Sequence, residues 1–164
     1  MLSQSQQRRV WEGILSGEIR ANYFAELSNK YHGRQRGATW MVLLLSSGAV
    51  AAFLYTGPFA EIAAWLRPLL PLLTTAVSVY MLATQNHKVA IESADLHSRW
   101  SSLARKYEAL WEDIYADDAE ERLQNLDQEA IELSKIGTAF PYREKAMRKW
   151  QDHIERHHAA HASA

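Results

Sequence analysis

Hydrophobic and polar positions divide the 164-residue chain into three stretches. Residues 1–36 carry six basic and three acidic side chains, and residues 88–164 carry eleven basic and fifteen acidic ones. Between them, residues 37–87 carry one of each, Arg67 and Glu61. Positions 37–60 form a run of 24 residues without a charge, and positions 68–86 a second run of 19. A bilayer core of about 30 Å takes roughly 20 apolar residues in a helix. The pattern therefore predicts a two-helix transmembrane hairpin over 37–87, flanked by polar arms at 1–36 and 88–164. Gly57-Pro58 is expected to end the first span, with 59–66 as a short interfacial helix placing Trp65 and Arg67 at headgroup level. Pro68 and Pro71 stand at the start of the second span, where a missing N–H costs least. The first run begins too late and is too long for a signal peptide. The competing reading is a helical bundle that buries the hydrophobic hairpin.

Lys30, Arg34 and Arg36 precede the first run, and His87 and Lys88 follow the second, while the connection holds Arg67 alone. The positive-inside rule then puts both termini in the cytoplasm. After the second run, Leu96, Trp100, Leu103, Tyr107, Leu110 and Ile114 recur at steps of four and three, a heptad seam for packing along another helix. Asp117-Asp118 is read as a break and a new helix start. A second seam follows at Ala119, Leu123, Leu126, Ala130 and Leu133. Gly137 is expected to cap that helix, and Pro141 to separate it from a last helix over 142–158 bearing Met147, Trp150 and Ile154 on one face. The N-terminal arm has apolar patches at Val10, Ile14, Leu15 and at Tyr23, Phe24, Leu27, Tyr31, with a break expected at Ser16-Gly17. The expected fold class is all-α: an integral membrane hairpin with a long cytoplasmic helical or coiled-coil extension, assembled as an oligomer.

Composition removes several classes of function. The chain has no Cys, which excludes a disulfide scaffold, a zinc ribbon and a cysteine nucleophile. A net charge of −1 argues against a nucleic-acid partner. No Gly-rich phosphate loop, HExxH or GxSxG is present, so no enzyme is expected and no cofactor or metal is assigned. Thr74, Ser78 and Gln85 share one face of the second span and are the candidate pore-lining residues. Hydrogen bonding between membrane helices accounts for them equally well. Two spans cannot enclose a pore, so a channel requires a homo-oligomer, for which a tetramer is expected. Tyr142, Arg143, Lys145, Arg148, Lys149, Trp150 and Arg156 form the most basic stretch, able to bind phosphate and stack bases. The alternative is a helix surface balanced by neighbouring acids. His153, His157 and His161 have helical spacing with His158 alongside, a pattern that suits a frayed tail better than a metal site. From Glu108 to Glu132 there are ten acidic residues and one basic, Arg122, either a solvated face or the dock of a basic partner.

The helix Ala21–Tyr31 leading into the first run, the close hairpin, Ala83-Thr-Gln-Asn-His-Lys-Val-Ala90, and the Trp100, Leu103, Tyr107, Leu110, Trp111 pattern together resemble the SLATT domain. This is a two-transmembrane effector module of bacterial antiphage defence, and the resemblance covers residues 18–136. It implies a channel in the bacterial inner membrane, gated by a cyclic oligonucleotide made by a partner nucleotidyltransferase, that depolarises the cell. With no separate sensor domain, the cytoplasmic helices would themselves bind the signal. The rival functions are a non-conducting membrane anchor carrying a coiled-coil platform and a constitutively lytic toxin.

Overall fold

The computed structural model describes residues 2–47 and 69–162. All regular structure among them is helical: α1 (Gln4–Ser46), α2 (Leu69–Thr84), α3 (Asn86–Glu112), α4 (Ala119–Gly137) and α5 (Glu144–Ala162). The Gly57-Pro58 break and the interfacial helix expected over 59–66 lie outside the described residues. The chain divides into two compact units, one made of Met1–Ser28 with Ile91–Ala164, the other of Asn29–Ala90.

The first unit packs α1, α3, α4 and α5 around one core. Ser3 and Gln6 start α1 as a reciprocal cap: the Ser3 N–H donates to Gln6 Oε1 (2.8 Å) and the Gln6 N–H to Ser3 Oγ (3.3 Å). Val10, Ile14, Tyr23, Phe24 and Leu27 of α1 are buried, as are Leu96, Trp100, Leu103, Tyr107 and Leu110 of α3. Leu123, Leu126 and Leu133 complete the core from α4, and Ala146 and Ile154 from α5. Burial of each large apolar side chain contributes about 1.5–3 kcal/mol, which makes these seams the principal reason the helices assemble. At its rim, Tyr107 donates to Asp127 (2.9 Å), which also pairs with Arg9. Burial, reinforced by that carboxylate, raises the Tyr107 pKa above the usual phenol value.

Two glycines behave differently from their expected roles. Helix α1 runs straight through Ser16-Gly17, because Gly17 is needed for packing rather than as a break. A Cβ there would lie 2.9 Å from Ala104 Cβ and 3.2 Å from its Cα, so α1 and α3 touch backbone to backbone. Gly137 closes α4 as its last helical residue, against the Phe24 ring, and the capping position falls to Thr138 in right-handed helical geometry. The break at Asp117-Asp118 does occur; Asp118 is the N-cap position and Arg122 bridges Asp113 and Asp118.

The second unit overturns the membrane reading. Among the described residues no helix is long and apolar enough to cross a membrane. Helix α2 has 16 residues, a rise of about 24 Å against a core of about 30 Å. It stops because Gln85 adopts φ 44, a left-handed conformation that interrupts the helical hydrogen-bond ladder before α3 begins. The described part of the first uncharged run is the end of a 43-residue helix, most of it polar. Length without charge was thus a poor proxy for a spanning helix: it ignored where the backbone breaks. The transmembrane hairpin, the depolarising channel, the membrane-anchor alternative and the inner-membrane location are all withdrawn with it. Gln85 likewise separates α2 from α3, so the two do not form one continuous helix. Trp40, Leu43, Leu44, Leu72, Leu73 and Leu82 are exposed in this unit, while Ala38, Asn86 and Ala90 are buried.

Candidate functional site

One charged side chain, Arg20, is half-buried against the core of the first unit. Arg20 is on α1, one turn before Phe24 and in register with Gly17, so the close approach of α1 to α3 brings it over Trp100. Its guanidinium carbon is 4.5 Å from the Trp100 ring centroid. Its Nη1 donates to Ser134 Oγ on α4, and that hydroxyl donates in turn to the Ala130 carbonyl (2.8 Å). Among the described residues no carboxylate pairs with Arg20. Burial lowers its pKa from the ordinary guanidinium value, the signature of a cation that lacks full solvation.

Arg20 opens into a cavity of about 430 Å³. Four aromatic rings besides Trp100 line it, from Tyr23, Phe24, Phe140 and Tyr142, together with Ser134, Thr138, Leu133 and Met147. No acidic residue contributes to that lining. Tyr23, Phe24 and Phe140 form a chain of edge-to-face contacts at 5.2 and 5.7 Å, a rigid apolar wall. Trp100 is 2% exposed and its Nε1 has no hydrogen-bond partner. On the other side of Arg20, Tyr142 and Met147 a second cleft of about 440 Å³ opens, edged by Glu12 and Glu155.

Helix α5 supplies the outer wall and is tied to α1 by polar contacts. Glu26 accepts from Lys149 Nζ (2.8 Å) and from Trp150 Nε1 (3.0 Å). The Lys149 hydrogen bond, aided by that of Trp150 and opposed by burial, holds the Glu26 carboxyl below its usual range. Tyr23 Oη donates to the Pro141 carbonyl (2.9 Å) and accepts from the Arg143 N–H (3.2 Å). Further along, His158 Nε2 meets Glu18 at 2.8 Å.

No known protein family, curated protein or solved structure matches the chain.

The structure scatters the ligand-binding residues expected on the last helix. Tyr142 alone faces the Arg20 cavity. Lys149 and Trp150 are engaged by Glu26, Arg148 pairs with Glu144 one turn back (2.6 Å), and Arg156 Nε donates to the Asp152 carbonyl. Lys145 is exposed without a partner, and Arg143 contributes its backbone N–H to Tyr23. Of the residues expected to line a pore, Thr74 and Ser78 lie on α2. Ser78 donates to the Thr74 carbonyl within α2, and Gln85 lies beyond the end of that helix. Among the described residues no group of three His, Asp or Glu side chains is placed to hold a metal ion. Arg20 escaped notice because a lone basic residue is inconspicuous. The available signal was its position: it is the one charge on the α1 face that carries Phe24 and Gly17 toward the Trp100 seam.

Proposed function

We propose that the helical unit of residues 1–28 and 91–164 is a binding module for a ring-bearing anion, held at Arg20. The observation that carries this reading is a half-buried guanidinium with no carboxylate partner, opening into an aromatic-lined cavity. A guanidinium has five N–H donors, and Ser134 takes one. The remaining donors suit a phosphate or carboxylate, and the rings suit a planar group stacked beside it. The cavity falls in the size range of small-ligand sites, about 300–1,000 Å³. A cyclic nucleotide, the ligand class implied by the family resemblance, combines both chemical features. We assign binding rather than turnover, because no nucleophile with an adjacent base lines the cavity.

The test is calorimetric titration of the purified chain with a panel of cyclic mononucleotides and dinucleotides, linear nucleotides and aromatic carboxylates. Removing the guanidinium in Arg20→Met is expected to weaken binding of the active ligand by about 10- to 150-fold, the equivalent of one lost charge-assisted contact of about 1.5–3 kcal/mol. Lys145→Gln, on the exposed side of α5, is expected to leave affinity unchanged. A ligand that binds Arg20→Met as well as the parent, or that is lost in Lys145→Gln, refutes the assignment.

A further inference from the structure

A second surface of the first unit lies apart from the Arg20 cavity and does not depend on its reading. Trp11 on α1 and Trp111 near the end of α3 meet with ring centroids 5.8 Å apart. They remain 36% and 41% exposed. Large aromatic rings left at the surface in a cluster are the composition of interface hot spots. Glu108, Trp111 and Glu112 follow at steps of three and one within α3, so they share one face of that helix. Glu108 and Glu112 are exposed and paired with no base. Arg105, one turn earlier on α3, makes no ion pair with either of them.

Among the described residues the aromatic pair also lacks a lysine or arginine partner. Arg20 lies over Trp100, Arg34 over Tyr31 and Lys149 over Trp150, yet among the described residues none lies over Trp11 or Trp111. Adjacent acidic side chains that do have partners, Glu12 with Arg8 and Asp113 with Arg122, find them within the chain. His158 packs edge-to-face against Trp11 (5.1 Å), so the unfilled positions are two carboxylates and the exposed Trp111 ring beside them. A guanidinium satisfies both: its fork matches a carboxylate and its plane stacks on an aromatic ring. The ten acids and one base between Glu108 and Glu132 add a long-range field of the same sign. We propose that the Trp11–Trp111 surface docks an arginine-bearing basic segment of a protein partner.

The probe is hexaarginine amide, titrated against the full chain at 50 and 300 mM salt by tryptophan fluorescence and calorimetry, with hexalysine amide and hexaglutamate in parallel. Hexaarginine is expected to bind about threefold or more tighter than hexalysine, and hexaglutamate not at all. Trp111→Ala and the double variant Glu108→Gln, Glu112→Gln are each expected to weaken hexaarginine about tenfold, and Trp111→Phe, which keeps a ring, much less. Glu132→Gln, an exposed and unpaired acid on α4, is expected to change affinity less than about twofold. Circular dichroism checks that each variant is folded; should Trp111→Ala unfold, the glutamine pair and Trp111→Phe decide. Equal losses in Glu132→Gln and the glutamine pair would mean diffuse charge attraction and overturn the proposal. So would unaltered binding to folded Trp111→Ala. Self-association of the chain abolished by Trp111→Ala would overturn it too, by placing a second copy on this face.

Discussion

If Arg20 is kept for a ligand, removing it should cost the unliganded protein little. The favourable terms are a partly desolvated cation–π contact with Trp100, about 0.5–2 kcal/mol, and a charge-assisted hydrogen bond to Ser134, about 1.5–3 kcal/mol. Opposing them are the desolvation of a half-buried charge with no carboxylate partner, a fraction of the several kcal/mol of a fully buried ion, and about 1.5–2 kcal/mol of side-chain entropy. These sums are of similar size. Methionine keeps the aliphatic stem, places a sulfur against Trp100 and leaves Ser134 its bond to the Ala130 carbonyl. Arg20→Met is therefore expected to unfold in urea within about 1 kcal/mol of the parent, whereas Trp100→Ala, which empties the core, should lose about 3–5 kcal/mol. The assay is equilibrium unfolding followed by far-ultraviolet circular dichroism, with equal slopes required for the comparison. A loss of about 3 kcal/mol or more in Arg20→Met would make the guanidinium a structural clasp and remove the argument that it binds an anion.

Other outcomes follow from the same contacts. Gly17→Ala gains about 1 kcal/mol of helix propensity but forces a Cβ to within 2.9 Å of Ala104 Cβ, so a net loss of up to about 2 kcal/mol is expected. Adding Ala104→Gly should recover part of it, and a double-mutant cycle of denaturation midpoints without coupling would contradict the close approach of α1 and α3. Glu26 has a depressed folded pKa, so its stabilisation of docked α5 is complete above the unfolded value of about 4.3 and disappears as pH falls through the lower folded one. Amide exchange in α5, corrected for its intrinsic rate, should rise over that acid window in the parent and lose this step in Glu26→Gln. Tyr107 has a raised pKa, so its contribution is full below the unfolded value of about 10 and falls as pH climbs toward the folded one. Alkaline unfolding midpoints of Tyr107→Phe should show a weaker pH dependence than those of the parent.

The helical class and the core seams were legible in the sequence. Leu96, Trp100, Leu103, Tyr107 and Leu110 recur with the period of a packed helix, and all five are buried. That periodicity is a local consequence of helix geometry and needs no tertiary information. Charge-free length, in contrast, misled at positions 37–60 and 68–86, because hydropathy does not register a backbone break such as Gln85. Gly17 was equally opaque: a glycine that breaks a helix and one that admits a neighbouring helix look alike in one dimension. The basic stretch of α5 drew attention by its density, yet Glu26, more than a hundred residues earlier, engages Lys149 and Trp150. Arg20 became visible only when α3 and α4 surrounded it.

The border between the two compact units falls inside helices. Ser28 and Asn29 are consecutive residues of α1, and Ala90 and Ile91 of α3. A modular protein is usually severed at a flexible linker, where the cut disturbs few bonds. Severing this chain at either junction would instead strand four amide donors and four carbonyl acceptors in the middle of a helical ladder. Gene fusion or recombination at these points would therefore favour transferring both units as one inheritance, keeping the exposed apolar residues of one tied to the Arg20 cavity of the other.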